Sequence, residues 1–142
     1  MSDTIATFTP ADIAEALELW RGSEGLGLAG DTPEVLAAYL ARNPGLSFVA
    51  RDGGVLVGAV LCGHDGRRGY LHHLAIAPGH RRRGLGAALV ARCLAGLAAI
   101  GITKCHLFVR GDNEPALRFW RRIGWDERTD LVMMSRMTGE PR

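Results

Sequence analysis

The chain has 142 residues, 47% of them hydrophobic and 23% charged, the balance of one ordinary globular domain spanning residues 1–142. The longest uncharged run in its most apolar region, Cys93 to Thr103, is about half of the ~20 residues needed to cross a bilayer, so no membrane partner is expected. The formal net charge of +2 hides an asymmetry: residues 1–65 hold nine acids against three arginines, residues 66–111 hold seven arginines and Lys104 with no acid, and residues 112–142 hold six of each sign. A block without a carboxylate points to a local anion site, for a nucleotide or for a nucleic-acid backbone. The three cysteines, Cys62, Cys93 and Cys105, lie in apolar surroundings and fit reduced thiols in a cytoplasmic protein. Met1 to Pro10 carries Asp3 and no basic residue, so no secretory signal is expected.

In chain order, Thr4 to Phe8 reads as a strand. Thr9-Pro10-Ala11-Asp12 opens a helix, with Thr9 as N-cap and Ile13, Leu17 and Trp20 at helical spacing through Arg21. Gly22 to Gly30 is a glycine-rich connector. Asp31-Thr32-Pro33-Glu34 starts a second helix that runs to about Arg42. Leu46 to Arg51 and Val55 to Cys62 are strands joined by the Asp52-Gly53-Gly54 turn. A third strand of this group runs from Tyr70 to Ala77. A long helix covers Gly84 to Ile100, with Gly101 at its C-cap. Lys104 to Arg110 reads as a strand, Asn113 or Glu114 opens a helix ending near Gly124, and residues 125–137 read as one long or two short strands. The segment Tyr70 to Arg110 is a βαβ unit, so its strands should be parallel neighbours in an otherwise antiparallel, mixed sheet.

Arg81-Arg82-Arg83-Gly84-Leu85-Gly86 lies between a strand and the long helix. Amides at a helix start lack intrahelical partners and, with the helix dipole, form an anion site. Glycine lets the backbone approach a phosphate, and the arginines add charge, so the turn suits a diphosphate. A P-loop would need Gly-Lys-Ser/Thr here, but Ala87 and Ala88 follow Gly86. A dinucleotide fingerprint would need a glycine where Leu89 stands and an acid about 20 residues on, and no acid occurs before Asp112.

The stretch Arg81-x-x-Gly84-x-Gly86, preceded by Leu74-Ala75-Ile76-Ala77-Pro78, resembles the acyl-CoA signature of the GNAT superfamily of N-acetyltransferases. Asn113-x-x-Ala116-x-x-Phe119-Trp120-x-x-x-Gly124-Trp125 is similar to that family's C-terminal signature. The resemblance covers about residues 5–137. It implies a mixed α/β (α+β) fold, with a mostly antiparallel sheet, a central βαβ unit and helices on both faces. It implies acetyl-CoA as acyl-donor substrate and direct transfer of its acetyl group to a primary amine, small or on a protein or peptide. By position it places the pantetheine arm along the backbone of Leu74, Ala75 and Ile76, where two strands splay apart, and the pyrophosphate on Arg82, Arg83, Gly84, Leu85, Gly86 and Ala87 with Arg81 beside them. Asn113 matches an asparagine that contacts the cofactor arm; a plain helix N-cap is the competing reading.

The amine must lose a proton to attack, and a histidine titrating near 6.5 is suited to take it. The resemblance puts the base at His72. Strict alternation sets Tyr70, His72 and Leu74 on one face and a structural His73 on the other, unless a bulge intervenes. Many members of the family have a tyrosine as general acid where this chain has Trp120, and an indole does not give up its proton. Trp120 is therefore read as a wall of the acyl tunnel, with water or Tyr70 protonating the leaving thiolate. Glu24 and Asp31 flank the connector on the acceptor side and would steer a cationic acceptor. No metal is expected, since Cys62 with His64 and Cys105 with His106 match no standard ligand spacing. A non-catalytic acyl-CoA sensor is the alternative function, motivated by Trp120. Nucleic acid is not expected as partner. A homodimer stays open.

Overall fold

Capping and hydrophobic spacing set the elements, and the sheet then places the site. The structure is a computed structural model and describes residues 3–23, 26, 28 and 30–140. Strand β1 (Asp3–Thr7) leads through a 3-10 turn (Pro10–Asp12) into helix α1 (Ile13–Arg21), and α2 (Pro33–Arg42) follows. Then come β2 (Phe48–Asp52), β3 (Val55–His64) and β4 (Gly69–Ile76). A second 3-10 turn (Pro78–His80) precedes α3 (Leu85–Ala99), β5 (Cys105–His106) and α4 (Glu114–Arg122). The five strands form one sheet in the order of the chain, antiparallel except for the parallel β4–β5 pair.

At the entry into α1 the Thr9 N–H donates to Asp12 Oδ2 at 2.9 Å, the carboxylate half of a capping box, and the Asp12 N–H donates to the Thr9 carbonyl at 2.9 Å, closing the 3-10 turn. Asp12 also accepts from Arg51 Nη2 at 2.7 Å, and the same guanidinium holds Glu15 through both its terminal nitrogens, which ties α1 to β2. At α2, Thr32 caps through its side chain and Pro33 fills the first turn.

Two apolar layers cover the sheet. Phe8, Ile13, Ala16, Leu17, Trp20, Leu36 and Leu40 pack with Val49, Ala59, Leu61 and Ala75 on one face. On the other, α3 packs against β2, β3 and β4, burying Leu85, Leu89, Val90, Cys93 and Leu97. Two close approaches identify the faces along β4. Gly63, opposite Tyr70, has the Tyr39 hydroxyl and Asn43 where a Cβ would stand, so this side belongs to α2. Gly69 has Leu97 of α3 in that place, so its side belongs to α3.

The chain divides into two compact units, Met1–Phe108 and Val109–Arg142. Within the second, Asn113 Oδ1 accepts from the Ala116 N–H at 3.2 Å and caps α4. Phe119, Trp120 and Trp125 form an edge-to-face series with ring centroids 5.0 and 5.2 Å apart.

Two expectations are corrected. The strand expected over Lys104 to Arg110 shortens to Cys105–His106, because only Gly69 and Tyr70 of β4 pair with it. Residues 125–137 form no strand. A strand needs a neighbour for its backbone groups, and among the described residues the second unit holds no other strand. Leu131, Val132, Met133, Met134 and Met137 are accordingly exposed.

Candidate active site

The open edge of β4 is the first component of the site. The ladder to β5 ends at the Tyr70–His106 pair, so past Tyr70 no strand adjoins β4 on that side among the described residues. The Ala77 N–H donates to the Val57 carbonyl at 2.8 Å. By the alternation of an antiparallel ladder, Ala75 also turns its backbone groups to β3, while Leu74 and Ile76 turn theirs to the open edge. Arg81 Nε donates to the Ile76 carbonyl at 3.0 Å, so one acceptor of this edge is held from within the chain. Of the three backbones implicated from sequence, Leu74 and Ile76 face outward and Ala75 does not.

A bulge interrupts β4 just before this edge. Leu61 stands opposite His72 and Ala59 opposite Ala75, so His73 and Leu74 together face Val60. His73 takes up the extra residue in the left-handed region, at φ 58°, a conformation that costs a non-glycine residue about 1 kcal/mol. The alternation expected from sequence fails here: both histidine rings lie on the side of α1 and α2. His72 shares its face with Leu61 and meets the Tyr39 ring edge-on at 6.3 Å. His73 packs edge-on against Trp20 at 5.2 Å, and its Nε2 lies 2.7 Å from Asp31 Oδ2. The two imidazole centroids are 6.4 Å apart. Burial pushes the His72 pKa below its ordinary value, the neighbouring His73 pushes the same way, and Asp31 opposes them. A neutral imidazole is thereby favoured near pH 7.

The turn into α3 is the third component. Arg82 and Gly84 both sit in the left-handed region, at φ 66° and 78°. Gly84 is the N-cap and offers no side chain to the first amides of α3; the helical ladder begins at the Ala88 N–H, which donates to the Gly84 carbonyl at 3.0 Å. The N–H groups of Leu85, Gly86 and Ala87 precede it, with the helix dipole behind them. No atom lies within 4 Å of where a Cβ on Gly84 would stand, so the space before the turn is open. The chemistry of this turn, uncapped amides with a left-handed glycine, fits a diphosphate.

Tyr70 lies on the α2 face, its ring stacked on Phe108 at 6.3 Å and tilted against His106 at 5.7 Å. Asp31, expected on the acceptor side, lies beside the histidine pair through its contact with His73. Glu24 lies outside the described residues. Asn113 and Trp120 belong to the second unit. Sequence reasoning missed Trp20 and Tyr39 as partners of the histidines, because helical spacing marks Trp20 simply as core and nothing near Tyr39 in the sequence sets it apart. It also missed that Asp3, Asp52 and His80 each bring a ligand-type atom within 4.8 Å of the others, with His80 Nε2 already 2.8 Å from Asp52 Oδ2. Their separation in sequence carries no signal. Cys105, whose thiol burial pushes up to about 12, stays protonated, and so does Cys62, raised by its contact with Cys93.

The Acetyltransferase (GNAT) family profile matches residues 13–125, so the chain belongs to that family of acetyltransferases. An acetyltransferase of Pectobacterium atrosepticum is 31% identical over 138 residues, covering 97% of both chains, and one of Sodalis glossinidius is 30% identical over 132 residues, covering 93% of each. Among solved structures, the PaiA N-acetyltransferase of Thermoplasma acidophilum in complex with coenzyme A superposes with TM-score 0.78 at 20% identity, covering 89% of this chain and 91% of that one. The ribosomal-protein-S18-alanine N-acetyltransferase of Escherichia coli superposes with TM-score 0.75 at 21% identity, covering 90% and 80%. These likenesses share the mixed sheet and helices described above. No helix among the described residues is long and apolar enough to cross a membrane.

Proposed function

We propose that the chain is a single N-acetyltransferase domain that moves the acetyl group of acetyl-CoA directly to a primary amine in the cytoplasm, with His72 as general base. The observation that carries this reading is the open edge of β4, which runs from the His73–Leu74 bulge toward an uncapped, left-handed glycine turn. Leu74 and Ile76 would hydrogen-bond the amide groups of the pantetheine arm as an added strand does. The Leu85, Gly86 and Ala87 amides would hold the pyrophosphate, with Arg82 and Arg83 adding charge. These contacts fix the thioester against β4, so that positioning rather than covalent catalysis lowers the barrier.

His72 then takes a proton from the incoming amine, directly or through a water, as the nitrogen attacks the thioester carbonyl carbon. The N–C bond forms, the C–S bond breaks and the sulfur leaves as a thiolate, which water protonates. Trp120 has no proton to give and serves as packing. Structural relatives include an aminoglycoside antibiotic 6'-N-acetyltransferase and a ribosomal-protein-S18-alanine N-acetyltransferase, which makes both amine types suitable first probes. The test is free CoA released from acetyl-CoA across a panel of an aminoglycoside, a polyamine, an amino-acid amide and an alanine-terminated peptide. Turnover of at least one amine, lost in His72→Gln, supports the reading. Acetyl-CoA binding without CoA release from any of them would instead favour a sensor.

A further inference from the structure

We infer that Asp31 and His73 form a positioning pair that locks the β4 bulge and thereby aims His72; this rests on the assignment of His72 as base. The bulge is the one irregularity in β4, and it does two things at once. It brings the His72 and His73 rings to the same side of the sheet, and it shifts the strand by one residue so that Leu74 and Ile76, not Ala75, face the open edge. A regular strand would lose both arrangements.

What holds the bulge must be strong enough to keep a non-glycine residue in the left-handed region. Two contacts converge on His73 from different elements. Its Nε2 is 2.7 Å from Asp31 Oδ2, at the entry to α2, with the imidazole 16% and the carboxylate 24% exposed. Its ring lies edge-on against Trp20 of α1, which is fully buried. A charge-assisted hydrogen bond shielded to this degree is a directional restraint rather than a loose surface pair. A merely structural residue at this place would be a glycine or an asparagine, which enter the left-handed region with less strain. A histidine bonded to an aspartate from another element, one residue from the base, is a restraint on that base.

The variants are Asp31→Ala, Asp31→Asn and His73→Asn, each alone and in a His72→Gln background. Asparagine at 73 tolerates the left-handed backbone but cannot reach Asp31 as the imidazole does. With the fastest amine of the panel above, Asp31→Ala and His73→Asn each lower kcat about tenfold or more, while KM for acetyl-CoA changes less than about threefold. Asp31→Asn, which keeps the hydrogen bond to His73, recovers most of that loss. In the His72→Gln background the same substitutions add less than about twofold, because they act through the residue already removed. An acceptor-free readout accompanies these: Asp31→Ala speeds amide exchange at Ala75 roughly tenfold over the parent, and Asp31→Asn does not. A slow His72→Gln enzyme together with an Asp31→Ala enzyme at the parent rate overturns the pair and leaves the base standing. Effects that multiply across the double variant, or unchanged exchange in Asp31→Ala, overturn it as well. A His72→Gln enzyme at the parent rate fells the base assignment, and the pair with it.

Discussion

On the α3 face of the sheet, Cys62 and Cys93 lie against each other with no exposure, and Leu89 and Leu97 close the layer around them. On the α1–α2 face, at the same strands, stand His72, His73, Tyr39 and Asp31, half-buried and in contact with one another. The first face holds the Cys62 thiol protonated, so that sulfur offers no nucleophile or base at neutral pH. The second face is also desolvated, but for an imidazole desolvation favours the neutral form, which is the reactive one for taking a proton. The same physical effect therefore silences one face and prepares the other. Four measurements break or sharpen this contrast.

The largest effect is expected at His72. His72→Gln lowers kcat about 100-fold, the usual order for loss of a general base, while the melting temperature stays within a few degrees of the parent. The matched change on the quiet face, Cys93→Ala, leaves kcat within about twofold. Equal losses from the two substitutions would remove the distinction between the faces.

Gly84→Val comes next. A β-branched residue at φ 78° is strained, and its side chain would fill the open space before α3. Affinity for acetyl-CoA drops by at least about tenfold, and the rise in melting temperature that the ligand gives the parent disappears by mass action. A full ligand-induced shift in Gly84→Val would move the diphosphate site elsewhere.

How much of this was legible in the sequence follows from the range of the interactions. Caps, turns and the long helix were readable because their signals lie within a few residues: Thr9 with Asp12, Thr32 with Pro33, Gly84 before α3. The glycine turn was readable for the same reason. The side to which His73 points was not, since it depends on one extra residue opposite Val60 and on Asp31, 42 positions away. The expected strand at residues 125–137 failed for a related reason: its apolar residues carry strand propensity, but propensity does not provide a partner ladder.

On the quiet face the measurable consequence is stability. Cys93 is fully buried between α3 and the sheet, so Cys93→Ala removes a packed sulfur and leaves a small void. The cost is on the order of 1 kcal/mol, or a melting temperature lower by a few degrees. A Cys93→Ala protein as stable as the parent would mean that the α3 layer relaxes around the gap.

The smallest effect is a pH dependence that the reactive face carries and the quiet face does not. The His72 pKa lies below its ordinary 6.5 in the folded chain, first through burial and then through His73. Between that ordinary value and the lower folded one, the unfolded chain binds the proton and the native chain does not. Stability therefore falls as the pH drops through this window, and no contribution arises above it, where both states are neutral. His72→Gln removes this term and leaves His64, His73, His80 and His106 in place in both proteins. The expected result is that the parent loses more stability than His72→Gln between pH 7 and pH 5, by urea unfolding at each pH, and that the two curves run parallel above pH 7. The acid limb of kcat/KM should also fall below 6.5, because the base stays neutral to lower pH than a solvated imidazole would. Parallel stability curves throughout, with an acid limb at or above 6.5, would show that the α1–α2 face leaves His72 as water does.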